Sequence, residues 1–231
     1  MPAVDLQNRM LWAIVVGWVI SVILHEFAHG LVAWWGGDYT IRERGGLSLN
    51  PLQYVDPLFS VILPILFLLM GGLPLPGGST YVRRDLLRNR AWNSAVSLAG
   101  PFMNLMLFFA CALPLHPRFG WLTSYDHRAW SAAQVFVGAM ALLQFIALVL
   151  NLVPIPPLDG YHAISEYLPA RWREKLDEPV VAHTLFFIYF MVLWQGRVLG
   201  QIFKLARIVL DGMGFDSDVF VVAYMEAFGL I

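Results

Sequence analysis

The chain has 231 residues, of which 58% are hydrophobic and 13% charged, with a mean hydropathy of +0.64. Soluble domains average roughly 45–50% apolar and about 25% charged residues, so this chain carries more apolar surface than a water-facing fold can hide, which excludes an ordinary soluble domain and makes the bilayer the expected solvent. A formal net charge of −1 with scattered basic residues points away from a nucleic-acid partner, and a single cysteine, Cys111, leaves no internal disulfide framework.

Apolar runs give the organisation. Residues 10–35 form the first, long enough at about 1.5 Å per residue to cross a hydrocarbon core of about 30 Å. A signal peptide is the competing reading, but its apolar region would be only about 7–15 residues long and free of embedded charge. The run 57–73 is shorter, broken by Pro64 and closed by Gly71-Gly72-Leu73-Pro74. The run 91–115 holds Gly100-Pro101 in its middle, and 131–153 leads into Pro154-Ile155-Pro156-Pro157. A fifth run begins at 180–195. The stretch from there to about 210 carries Arg197, Lys204 and Arg207, as a span's end followed by an interfacial amphipathic helix would. The tail, with Asp211, Asp216 and Asp218 before an apolar stretch to Ile231, fits no single assignment. Trp12, Trp34, Trp35, Trp121, Trp130 and Trp194 lie near the ends of runs, where interfacial belts form. The expectation is an all-α polytopic membrane protein, one domain over 1–231, with core motifs in 15–170 and a C-terminal span and tail in 180–231. It would have about four full spans, a re-entrant or interfacial segment at 57–73 and an amphipathic C-terminal helix.

Chemistry concentrates in His25-Glu26-Phe27-Ala28-His29. Histidines four apart on a helix share a face and can reach one metal, and Glu26 beside the first of them is placed to act as general base toward an attacking water. Two histidines and a glutamate in an apolar span are costly unless paired or metal-bound. The competing reading is a pair of histidines hydrogen-bonded to neighbouring helices. A catalytic zinc takes three protein ligands and keeps one position open. Among the remaining acids Asp159 is the outstanding candidate, because the prolines of 154–157 unwind the backbone before it. Unwound backbone at membrane depth survives only where it is buried in protein or lines a wet cavity. An ordinary turn aspartate before Gly160 is the alternative.

Three motifs in order then resemble the site-2 protease family of intramembrane zinc metalloproteases. They are His25 to His29, Gly100-Pro101-Phe102-Met103-Asn104, and Asn151 through Pro154 to Leu158-Asp159-Gly160. Gly45-Gly46-Leu47-Ser48-Leu49-Asn50-Pro51 and Asp56-Pro57 resemble the compact bacterial branch of that family, and the likeness covers roughly 15–170. The resemblance implies one Zn2+ per chain held by His25, His29 and Asp159, Glu26 as general base, and Asn104 and Asn151 holding substrate backbone or a developing oxyanion. Inter-helix hydrogen bonding is the other role open to the two asparagines. It further implies an endopeptidase cutting in or near transmembrane segments, with a single-span membrane protein as substrate and the bilayer as its other partner. No PDZ-like or nucleotide-sensing domain is expected, and neither substrate identity nor oligomeric state is legible. A non-proteolytic zinc-binding scaffold and a metal transporter are the rival classes.

Topology and charge agree with one another. If His25, His29 and Asp159 share a metal, the runs 10–35 and 131–153 run parallel, so only one of the two runs between them crosses, and 57–73 is the one expected not to. The metal side then collects Arg42, Arg44, Arg83, Arg84, Arg88, Arg90, Arg171, Arg173 and Lys175, against Arg9, Arg118 and Arg128 opposite. By the positive-inside rule the site faces the cytoplasm, and the resemblance to the bacterial branch implies a bacterial cytoplasmic membrane. His162 is expected as an interfacial histidine with a supporting or substrate-touching role as the alternative, His183 as a helix-bonding residue, and His116 and His127 as surface residues.

Overall fold

The computed structural model describes residues 2–62, 77–122 and 126–231, and among these it contains helices and turns but no strand. The helices are α1 (Pro2–Gly36), α2 (Arg90–Ala112), α3 (Ala132–Asn151), α4 (Asp159–Ser165), α5 (Ala170–Asp177), α6 (Pro179–Trp194), α7 (Arg197–Gly212) and α8 (Ser217–Ala227). Among the described residues three stretches are long and apolar enough to cross a membrane: Asn8–Gly36, Arg90–Leu115 and Ala132–Asn151. At 16 residues α6 reaches only about 24 Å. It makes a fourth candidate only together with α5, to which it is bent by 75°. The expected segment 57–73 begins as a π-helical turn, Pro57–Ile62, and its remainder lies outside the described residues.

Two compact units divide the chain. The first comprises Met1–Trp18, Asn104–Leu150 and Met191–Ile231. Its core joins Phe108, Ala112 and Leu115 to Ala141, Leu142 and Phe145, with Phe215, Val219 and Phe220 from the chain's end. In α7 the residues Ile202, Ala206 and Leu210 recur every four positions and are buried in that core, while Arg197, Lys204 and Arg207 stay exposed. The amphipathic pattern seen in the sequence therefore has a protein core to serve. The tail that resisted assignment forms α8. The Asp216 side chain accepts from the Asp218 backbone N–H at 3.0 Å, capping the helix start, and Arg207 pairs with Asp218. Within this unit the buried Asn104 donates from Nδ2 to Oε1 of Gln144, itself fully buried, at 3.0 Å.

The second unit comprises Val19–Met103 and Asn151–Phe190. Its loops are organised by Asp38, which is fully buried just past the end of α1. Its carboxylate receives Nη2 of Arg44 at 2.7 Å, the backbone N–H of Arg83 at 2.9 Å and the Thr40 hydroxyl. The turn after α1 and the extended segment 77–83 are thereby tied to one anion. Tyr54 fixes the next stretch, its hydroxyl donating to the carbonyls of Ser48 and Gly46, while its own carbonyl accepts from Ser79 N–H at 3.0 Å.

Asp38→Ala leaves the Arg44 cation and a backbone N–H without their shared acceptor, and is expected to cost about 3 kcal/mol. Urea or SDS unfolding followed by tryptophan fluorescence reads this, and a loss below about 0.5 kcal/mol would show that the clasp does not hold the unit together.

Candidate metal centre

His25, Glu26 and His29 occupy one turn and a little more of α1, and all three are buried. The ring of His29 is held from behind: its Nδ1 lies 2.6 Å from the carbonyl oxygen of Val96 on α2. A carbonyl only accepts, so Nδ1 carries the proton and donates, which leaves the lone pair on Nε2. That nitrogen lies 3.1 Å from Nε2 of His25. Asp159 closes the triangle, with Oδ2 at 3.2 Å from His25 Nε2 and Oδ1 at 3.3 Å from His29 Nε2. Donor atoms of the three residues lie within 4.8 Å of one another. A lone pair aimed at a second imidazole nitrogen and a carboxylate calls for a cation between them, either a proton or a metal ion.

Local sequence explains each placement. The four-residue spacing puts the two imidazoles on one face of α1. Gly100 of α2 packs directly against them: a Cβ there would overlap Nε2 of both histidines. Asp159 is the first residue of α4, reached after the proline-rich turn that ends α3 and is closed by Leu158 N–H donating to Ile155 O at 2.8 Å. Glu26 is flanked by the extended segment, where a Cβ at Gly78 would lie 3.0 Å from Glu26 Cγ, and the Thr80 hydroxyl donates to the Glu26 carbonyl at 3.2 Å. Glycine thus lets two elements approach the histidines and the glutamate at backbone distance.

The second unit adds a cation, Arg84, which the sequence pattern marks only by its side of the membrane. Arg84 donates from Nη1 to the Ser97 hydroxyl at 3.1 Å and to Asn93 Oδ1 at 3.5 Å. Ser97 and Gly100 lie three apart on α2, so the guanidinium sits about one helical turn from the paired imidazoles. Burial lowers the Arg84 pKa, with the carboxylates of Asp159, Glu166 and Asp177 acting against that. Burial, and then the Arg84 cation, brings His162 down to about 4, so this half-buried imidazole is neutral at pH 7. Asn151 is the last residue of α3 and half-buried. His183 is exposed on α6; His116 packs edge-on against Phe215, with ring centroids 4.7 Å apart.

Two imidazoles and a carboxylate gathered beside a buried glutamate, in a helical chain with membrane-length helices, form a group that could hold a metal ion. The profile described as Peptidase family M50 matches residues 120–194, the stretch that includes Asp159. YwhC of Bacillus subtilis, whose name places it provisionally among zinc metalloproteases, is 32% identical over 185 residues, covering 78% of this chain and 79% of that one. Rip2 of Mycolicibacterium smegmatis, with the same provisional standing in its name, is 43% identical over 163 residues, and Rip2 of Mycobacterium tuberculosis is 42% identical over the same length. The chain belongs to peptidase family M50. The matches to the Rip2 proteins cover 71% of this chain but 60% of theirs. No solved structure matches the chain at a comparable level.

Zinc fits the donor set. Ligands about 2.0–2.1 Å from a tetrahedral zinc lie about 3.3 Å from each other, and two histidines with one carboxylate leave the fourth position open. The nearest approaches, 3.1 Å between the imidazoles and 3.2 and 3.3 Å from them to Oδ2 and Oδ1 of Asp159, are of that size. Gly100→Ala pushes a methyl group into both Nε2 positions and is expected to weaken zinc binding about 10- to 100-fold. Competition against a chromogenic chelator measures this, and an unchanged affinity would mean that the two histidines do not share the ion.

Proposed function

We propose that this chain is a zinc-dependent intramembrane endopeptidase that hydrolyses peptide bonds in or near transmembrane segments of membrane proteins. The carrying observation is the triangle of His25 Nε2, His29 Nε2 and the Asp159 carboxylate beside Glu26. Membership of peptidase family M50 and the names of the Rip2 and YwhC relatives support the activity. His25, His29 and Asp159 hold one Zn2+ per chain, and the ion when bound supplies a Lewis acid for the scissile carbonyl. Glu26 takes a proton from the attacking water and returns it to the leaving amine. Val96 keeps the His29 ring in the tautomer whose Nε2 is free to coordinate. Asn151 and Asn104 hold the substrate backbone or the developing oxyanion, a role supported by the motifs that contain them; for Asn104 the bond to Gln144 engages the amide nitrogen.

The same reading makes the protein integral to the bacterial cytoplasmic membrane, with about four spans, the site toward the cytoplasm and 57–73 held without crossing. The three membrane-length helices and the arginine asymmetry support it. Its substrate is a membrane protein with a single span, which must unwind locally because helical peptide bonds are shielded by their own hydrogen bonds.

Glu26→Gln is expected to lower cleavage of a membrane-embedded reporter by about 10²- to 10⁴-fold while zinc content per chain stays at one. Reporter cleavage and metal analysis on the same preparation decide the matter. Full cleavage by Glu26→Gln would remove the proposed base, and a wild-type protein that binds zinc but cuts nothing would favour a scaffold or transporter.

A further inference from the structure

The second unit contains a cavity of about 300 Å³, lined by residues that include Arg44, Gln53, Tyr54, Asp56, Thr80 and Tyr81. Its wall adjoins the turn of α1 that carries Glu26, because the hydroxyl of Thr80 is bonded to the Glu26 carbonyl and Ser79 is paired with Tyr54. The cavity is polar in a chain that is largely apolar. Exposed Val55 and Tyr81 stand at its edge, so it opens at the surface.

Arg44 decides what chemistry it would take. Among the described residues the guanidinium makes one hydrogen bond, from Nη2 to the buried Asp38, and lies over the Tyr81 ring at 5.1 Å from the centroid. A guanidinium has five N–H donors; Nε is buried here, which leaves the remaining N–H groups of the two terminal nitrogens to spend. Its side chain is 30% exposed and lines the cavity, so the exposed part of the fork is within an occupant's reach. Asp38, behind the wall, already offsets the charge of Arg44, and Asp56 in the lining adds a carboxylate, so an anionic occupant would meet Asp56 and a guanidinium whose charge is already paired. A neutral group that accepts from Arg44 and donates to Asp56 suits the pair, and the amide is that group. A carboxylate accepts at several positions, so Asp56 can take a donor in addition to the bonds it has.

We propose that this cavity is a substrate subsite that binds an amide group of the unwound segment next to the bond being cut, with Arg44 donating to its oxygen and Asp56 accepting from its nitrogen. The inference rests on the peptidase reading above. An unwound segment exposes amides that need partners in an apolar setting, and the cavity supplies them beside the general base. The amide can come from a glutamine or asparagine side chain or from the main chain.

The test uses the full chain in detergent micelles and synthetic transmembrane peptides of leucine and alanine. One series carries a single Gln at successive positions and a second carries a single backbone ester at successive positions. In the wild type, Gln or the ester at one fixed distance from the cut should change kcat/KM about three- to tenfold, the size of one neutral hydrogen bond. A signal in the Gln series assigns the side chain, and one in the ester series the main chain. Arg44→Lys, which keeps a cation for Asp38 but loses the fork, should erase the position dependence. Ser79→Phe, which fills the cavity without touching the Asp38 clasp, should do the same. Glu26→Gln should show the same preference in peptide binding. No position dependence in the wild type, or a dependence kept by both variants, overturns the subsite. Peptides bound with the preference by Glu26→Gln but left uncut by the zinc-loaded wild type would uphold the subsite and overturn the peptidase reading.

Discussion

Two imidazole nitrogens 3.1 Å apart, one of them held with its lone pair inward by a backbone carbonyl, set the terms for everything around them. In water such a pair would relax by rotating a ring or taking up a proton. Here α2 opposes the first relaxation, since Val96 holds the ring of His29 and Gly100 packs against the two Nε2 atoms, while the space between the donors stays open to a proton or a metal ion. The carboxylate of Asp159 adds negative charge at 3.2–3.3 Å from both. The fold therefore spends packing on holding two imidazole nitrogens and a carboxylate against one another, an arrangement that a cation would stabilise.

The loops of the second unit serve the same constraint from the other side. Asp38 gathers the turn after α1 and the segment 77–83, so Gly78 and Thr80 lie against Glu26 and not in solvent. Arg84, bonded to Ser97, brings a cation to the side of α2 near the donors. Buried anions and cations placed in this way are costly singly, and their mutual bonds offset that cost.

Much of the site was legible because its chemistry is local or strongly typed. The spacing of His25 and His29 follows from helical geometry, and the prolines before Asp159 announce unwound backbone wherever they occur. What escaped the sequence depends on partners far along the chain. The bond from His29 to Val96 uses a backbone carbonyl, which every residue has and no side chain advertises. Gln144 is one polar residue among many until Asn104 is placed opposite it. Asp38 reads as a loop residue after two glycines, and only the return of Arg44 and Arg83 shows it to be a hub. The charges of α7 suggested a lipid interface, and the helix does carry one apolar face; the tail that forms α8, unassigned from sequence, joins the core that face helps build.

The closeness of Gly100 and Gly78 to the reactive side chains has a bearing on how the site can be mapped. Exhaustive mutagenesis would score these glycines alongside the histidines, although neither has a side chain able to bind or transfer anything. Part of the candidate site's address is thus recorded as volume withheld. Homology transfer that checks only ligand identities would pass a chain in which that volume had been filled, and such a chain could keep every donor and still be unable to bring them together.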